Sequence, residues 1–146
     1  MKKKTKGFSV IEIVLVLGVI GILSSFIVPK VRDYLAMAKD SKVINTLQSL
    51  RMANETYYLE NGSYPLVQTN NMEDTLKSLE KYIGDKFQLT DKKLILDIGG
   101  SKSDINSKDI KYGGKIEIET NNNDFILKPG EGVLQFNLRG DDWSKL

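Results

Sequence analysis

From Phe8 to Val28 the chain runs for 21 residues with a single ionisable side chain, Glu12. A bilayer-spanning helix needs about 20 predominantly apolar residues, so the stretch is long enough to cross a membrane once. Glu12 requires an explanation. On insertion scales a charged side chain in a span costs roughly 2.5 to 3.5 kcal/mol, and one that is kept there marks a function and a partner. Met1 to Gly7, ahead of the span, holds four lysines, against Lys30 and Arg32 just after it. That asymmetry keeps the N-terminus cytoplasmic and exports the remainder. Cutting after Gly7 would supply the missing cation, because the new α-ammonium on Phe8 would lie one helical turn before Glu12 on the same face.

The run Lys6-Gly7-Phe8-Ser9-Val10-Ile11-Glu12-Ile13, with Gly21 and Pro29 further along, resembles the class III signal of type IV pilins and of the pseudopilins of type II secretion. The resemblance is specific over residues 1 to 30 and architectural beyond. Ser9, Val10 and Ile13 replace a commoner threonine, leucine and leucine, all conservatively. It implies that a prepilin peptidase cuts after Gly7 and methylates Phe8. It further implies that Glu12 neutralises the N-terminal ammonium of a neighbouring subunit, and that a platform protein and an assembly ATPase draw the subunit from the cytoplasmic membrane into an extracellular or periplasmic filament. Glu12 could equally pair with its own Phe8 ammonium. A type IV pilus subunit is the first expectation. A type II secretion or competence pseudopilin, driving protein export or DNA uptake, is the alternative; a bitopic, membrane-anchored binding domain is the alternative of another class. An ordinary secretory signal fits poorly, its apolar core being shorter and ending in a small-residue cleavage site. A lipoprotein would need a cysteine, and the chain has none.

Composition narrows the rest. The 146 residues carry 21 Lys and Arg against 19 Asp and Glu; without the four leader lysines the balance is 17 to 19, a net of −2. The basicity belongs to the leader, so nothing points to nucleic acid. With neither cysteine nor histidine, the common nucleophile and base pairs are absent, and no enzyme is expected. Many pilins of the resembling family close their C-terminal region with a disulfide; this chain must hold its own by other means.

From Lys30 to Glu60 there is no glycine or proline, and Val31, Tyr34, Leu35, Ala38, Val43, Leu47, Leu50 and Tyr57 recur at helical spacing. One helix from Phe8 to Glu60 would extend about 80 Å at 1.5 Å per residue. Pro29 removes the donor to the Ser25 carbonyl, so a kink is expected there, with the hydroxyls of Ser24 and Ser25 as local substitutes. Asn61-Gly62-Ser63-Tyr64-Pro65 stops the helix. Met72 to Ile83 reads as a short second helix closed by Gly84, with Met72, Leu76, Leu79 and Ile83 on one face. Leu94 to Ile98, Lys115 to Thr120, Phe125 to Lys128 and Val133 to Leu138 then read as strands, and Gly99 to Asp109 as an exposed polar loop. The expected fold is α+β: a long N-terminal helix whose outer half is covered by an antiparallel meander of three or four strands. Its segments would be a leader, 1–7; a membrane and filament-core helix, 8–29; and an exported domain, 30–146, comprising an amphipathic helix half (30–60), a connecting region (61–92) and a sheet region (93–146).

In the filament core, Ile13, Val16, Leu17, Val19, Ile20 and Leu23 would bundle with their counterparts, Gly18 and Gly21 allowing close approach. Major pseudopilins hold calcium in a C-terminal loop, which makes Asp141 and Asp142, with Asp124 or Glu131, weak candidates for hard oxygen ligands. Their spacing forms no compact calcium loop, and solvated carboxylates are the simpler reading, so no metal or other cofactor is expected. Trp143 is expected to pack over the sheet edge, and Lys92-Lys93 to be an exposed strand entry.

Overall fold

A computed structural model describes residues 7–65, 71–84 and 87–146. The leader lysines Lys2, Lys3, Lys4 and Lys6 and part of the connecting region lie outside the described residues. The chain divides into two compact units, Met1–Tyr34 and Leu35–Leu146. One helix, α1 (Val10–Asn61), belongs to both and continues through Gly21 and Pro29.

In the first unit every described side chain from Gly7 to Arg32 is exposed. These residues include a helical stretch apolar and long enough to cross a membrane. Its helix is held by its own backbone bonds, the arrangement hydrocarbon demands because it offers no hydrogen-bonding solvent. Ser25 Oγ donates to Ile22 O at 2.6 Å, so this hydroxyl serves the turn before the carbonyl that Pro29 leaves without a donor.

In the second unit α1 buries Ala36, Asp40, Val43, Leu47, Leu50, Ala53 and Asn54. The alternating spacing of four and three keeps them on one stripe. Opposite them lies a three-stranded antiparallel sheet in the order β1–β4–β5, formed by β1 (Leu94–Asp97), β4 (Lys115–Asn121) and β5 (Asp124–Pro129). Leu94, Ile116, Ile118, Phe125 and Leu127 turn inward to the same buried cluster as Val43, Leu47 and Leu50. β4 meets β5 through Asn122 and Asn123, at φ 48 and 67, the left-handed pair of a tight two-residue hairpin. Helix α1 ends where the sequence places its stop: Gly62, at φ 73, donates its N–H to Tyr58 O at 2.8 Å.

Three expectations are corrected. Helix α2 spans Met72–Leu79 and ends before Ile83. The chain turns at Glu80–Tyr82, where Lys81 Nζ (3.0 Å) and the Tyr82 hydroxyl both donate to Glu60 at the end of α1; Leu76 and Leu79 are buried, and Met72 and Ile83 still pack on the core. Gly99 to Asp109 is not wholly an exposed loop. Gly99, Gly100 and Ser101 are buried, and β2 (Gly100–Ser101) pairs with β3 (Lys111–Tyr112) as a separate two-stranded ribbon in the chain segment that links β1 to β4. A Cβ on Gly99 would stand 1.9 Å from Ala36 O, so only glycine lets this backbone lie on α1. Val133 to Leu138 is not a strand: its one ladder residue, Phe136, makes single bridges to Lys102 and Asp142. The other donors go elsewhere, Leu134 N–H to Ser101 Oγ (3.0 Å), Asn137 N–H to Asp141 O (2.8 Å) and Leu138 N–H to Asp40 Oδ2 (3.3 Å).

Candidate processing and assembly site

Gly7 and Phe8 precede the helix, and Phe8 is 88% exposed. A Cβ built on Gly7 meets nothing within 4 Å, and its φ lies outside the left-handed region. Among the described residues neither space nor backbone conformation requires glycine at position 7. The helix then opens on a reciprocal cap. Ser9 N–H donates to Glu12 Oε2 at 2.7 Å, and Glu12 N–H reaches Ser9 Oγ at 3.3 Å. This Ser-x-x-Glu capping box satisfies two of the amide donors that a helix start leaves open. In the uncut chain the Phe8 nitrogen is a peptide nitrogen, and Glu12 is occupied by Ser9. The pattern is readable in the sequence as Ser9-x-x-Glu12, an exchange of bonds that needs no cation.

Added Cβ atoms on Gly18 and Gly21 likewise meet nothing within 4 Å, so both flanks are open to a close neighbour. Ile13, Val16, Leu17, Val19, Ile20 and Leu23 are all exposed. The kink expected at Pro29 concerns a residue that α1 passes through as helix.

Two polar ties in the second unit escaped the sequence. Asp40, at 0% exposure, accepts from Gly99 N–H (2.7 Å) and Gly100 N–H (3.4 Å) through Oδ1 and from Leu138 N–H (3.3 Å) through Oδ2. Burial pushes its carboxyl above the usual range against these three donors and the Arg139 charge. Arg51 donates through Nε (3.1 Å) and Nη2 (2.8 Å) to Phe125 O and through Nη1 (2.5 Å) to Leu146 O, and its Nε lies 3.2 Å from Asp124. In a chain without cysteine, these bonds secure the C-terminal region to α1.

The weak calcium candidates are engaged within the chain. Asp141 Oδ2 accepts from Asn137 Nδ2 at 2.9 Å. Asp142 caps the turn Trp143–Lys145, accepting from Gln135 Nε2 (2.9 Å), Ser144 N–H (3.0 Å) and Ser144 Oγ (2.7 Å). Those donors hold its carboxyl down at about 2. Among the described residues no three acidic side chains gather as a metal site would require, and Glu131 stands apart in an exposed turn. Trp143 is fully buried in the core, and its turn packs against the edge strand β5. Lys92 is exposed at φ 63 in the turn before β1, while Lys93 pairs with Glu117 at 3.0 Å.

No family model matches the chain. It is similar to the type IV major pilin protein PilE1 of Neisseria gonorrhoeae, 35% identical over 65 residues, covering 44% of this chain and 39% of that protein. A fimbrial protein of Neisseria meningitidis serogroup B is also 35% identical over 65 residues, 44% of this chain and 38% of the relative. The type IV major fimbrial protein FimA of Dichelobacter nodosus is 37% identical over 60 residues, 41% and 38% of the two chains. Over this shared part the chain is similar to type IV pilins. It spans less than two fifths of the length of each of these pilin relatives. The long N-terminal helix and small antiparallel sheet are those expected of a pilin. The exposed apolar part of α1 is long and apolar enough to cross a membrane.

Proposed function

We propose that the chain is a structural, non-catalytic subunit of a type IV pilus-like filament, anchored in the cytoplasmic membrane by its apolar helix before assembly. A prepilin peptidase cuts between Gly7 and Phe8 and methylates the new N-terminus. Subunits of the same kind then associate through their apolar helices, drawn out by a platform protein and an assembly ATPase.

The supporting observation is the state of residues 8 to 28: an entirely exposed apolar helix whose one ionisable group sits in its first turn, satisfied by a local amide. Held this way, the carboxylate enters the membrane with a donor already in place. Cleavage then creates an ammonium one turn away. Pairing the two, within one subunit or between neighbours, costs less than leaving either charge alone in hydrocarbon. Gly7 is compatible with the same account: no described atom lies within 4 Å of a side chain built there, so any requirement for glycine would come from the peptidase. Mass spectrometry of the mature protein should find Phe8 first and carrying one added methyl group. A mature chain that keeps Met1, or that begins after Ser25, refutes the reading.

A further inference from the structure

We propose that the outer edge of β1 and the flank of α1 beside it form a docking groove for an extended acidic peptide of a partner protein, which joins the sheet as a fourth strand. Ile98 N–H donates to Gly114 O at 3.0 Å. With the register Leu94↔Ile118 to Asp97↔Lys115, the pairs that exchange bonds with β4 are those of Leu94, Leu96 and Ile98. In an antiparallel ladder the intervening residues turn their N–H and C=O groups the other way. Ile95 and Asp97 therefore aim four main-chain groups away from β4, on a side where β1 has no neighbouring strand among the described residues.

That side opens on a groove of about 650 Å³, with Lys39, Lys42 and Thr46 of α1 along one wall and Phe87 on another. A strand added to this edge would send alternate side chains toward α1, into the reach of the two lysines. Lys81, Lys93, Lys128 and Lys145 each have a carboxylate partner. Lys39 and Lys42 are exposed and have no ion-pair partner among the described residues. Asp97 also lines the groove, but it lies on the exposed face alternate to Leu94 and Leu96 and forms no ion pair with either lysine among the described residues. Main-chain groups set the extended conformation and the two ammonium groups set the charge, which is how strand-addition sites divide affinity and specificity. Lysines also serve to keep unwanted strands off a sheet edge, and the test separates these roles.

The probe is a fluorescent eight-residue peptide alternating glutamate and valine, titrated into the full chain in non-ionic detergent micelles and followed by anisotropy. Binding is expected, weakening as salt is raised, with slowed hydrogen exchange at the amides of Ile95 and Asp97. Lys39→Glu with Lys42→Glu should lower affinity by about tenfold or more, by reversing both charges; these positions are exposed, so the fold is kept. Ile95→Pro removes one outward N–H from an edge strand, where proline is tolerated, and should weaken binding without that salt dependence. The proposal is overturned if the peptide does not bind, if a lysine–valine peptide binds equally well, or if the charge-reversed protein binds as the original does. Equal binding of a thymidine oligonucleotide, or unprotected Ile95 and Asp97 amides, would also overturn it by reducing the site to a patch of charge.

Discussion

Two stretches of α1 follow opposite rules. From Val10 to Val28 every side chain is exposed and all but Glu12, Ser24 and Ser25 are apolar; from Ala36 to Asn54 one stripe is buried, and it includes a carboxylate and an amide. The first stretch suits a solvent that is itself apolar, where a helix needs only to satisfy its backbone and may expose any hydrocarbon. The second suits water, where apolar area must be covered and each covered polar group needs a partner. Asp40 and Arg51 accordingly tie distant backbone, whereas Glu12 ties only the turn it stands in. The polar groups of the first stretch, Glu12 and Ser25, hold only local turns, whereas those of the second hold backbone far along the chain.

Glu12→Val puts this contrast at greatest risk. It makes the span more apolar, so membrane levels and cleavage after Gly7 should be unchanged or better. The Phe8 ammonium would then enter a filament core unpaired, at a cost of about 3–5 kcal/mol for a buried pair that loses one member. Filaments, counted by electron microscopy with the variant as sole copy, should fall sharply or vanish. Glu12→Asp keeps the charge on a shorter reach and should be milder. Wild-type filament numbers from Glu12→Val would mean that the carboxylate serves only its own helix cap.

The second stretch should fail differently. Among the described residues every buried side chain lies at or beyond Ala36, so a chain beginning at Lys30 should fold and be soluble without metal or oxidant, and stability can be read on it. Asp40→Ala leaves the amides of Gly99, Gly100 and Leu138 without their acceptor and should cost about 3 kcal/mol, an unsatisfied buried donor costing about 1–3. Urea unfolding would show it. A loss under about 0.5 kcal/mol, the scale of an ordinary surface change, would mean that the three donors find other partners. Arg51→Met should cost about 2 kcal/mol through its charged hydrogen bonds and hasten proteolysis near Leu146. Arg51→Lys should recover only part, since a single ammonium cannot reproduce the planar fork that serves Phe125 and Leu146 together.

The sequence made the helices and the strands of the hairpin legible because those signals are local: helical spacing along α1, Asn61-Gly62 at its end, and the β-prone runs Lys115 to Thr120 and Phe125 to Lys128. Asp40 was invisible because a carboxylate between Lys39 and Ser41 reads as a solvent-facing position. Its partners lie 59, 60 and 98 residues away. Val133 to Leu138 has the alternation of a strand, but Ser101, Asp141 and Asp40 take its amides, and their positions depend on the finished fold. The Ser9–Glu12 cap was within reach of local reasoning.

Ser9→Ala tests the cap directly. It removes one arm of the box and should cost about 1 kcal/mol of helix-start stability, the usual value of such a cap. Hydrogen exchange at Glu12 and Ile13 should quicken, with filament yield reduced far less than by Glu12→Val. A loss as large as that of Glu12→Val would make the hydroxyl a direct participant in assembly.

The smallest effect lies in the pH dependence of the second unit, where two carboxylates act in adjoining windows with opposite sign. Asp142 is held at about 2, against an ordinary 3.8, by Gln135 and Ser144. Its contribution is full above about pH 4 and is lost as pH falls toward 2, because the unfolded chain takes up the proton first on the way down. Asp40 is shifted the other way by burial. The folded chain holds that proton more tightly than the unfolded one, so the penalty of an ionised Asp40 grows as pH rises above about 4. The two groups alone would place the stability maximum near pH 4, and their variants separate them. Asp142→Asn should narrow the difference from wild type as pH is lowered from about 4 to 2. Asp40→Asn should change that difference only above about pH 4. Urea midpoints of the three proteins at about pH 2.5, 4 and 7 suffice to decide. A wild-type to Asp142→Asn difference that stays constant across the acid range would mean that Gln135 and Ser144 hold this side chain as well when it is neutral as when it is charged.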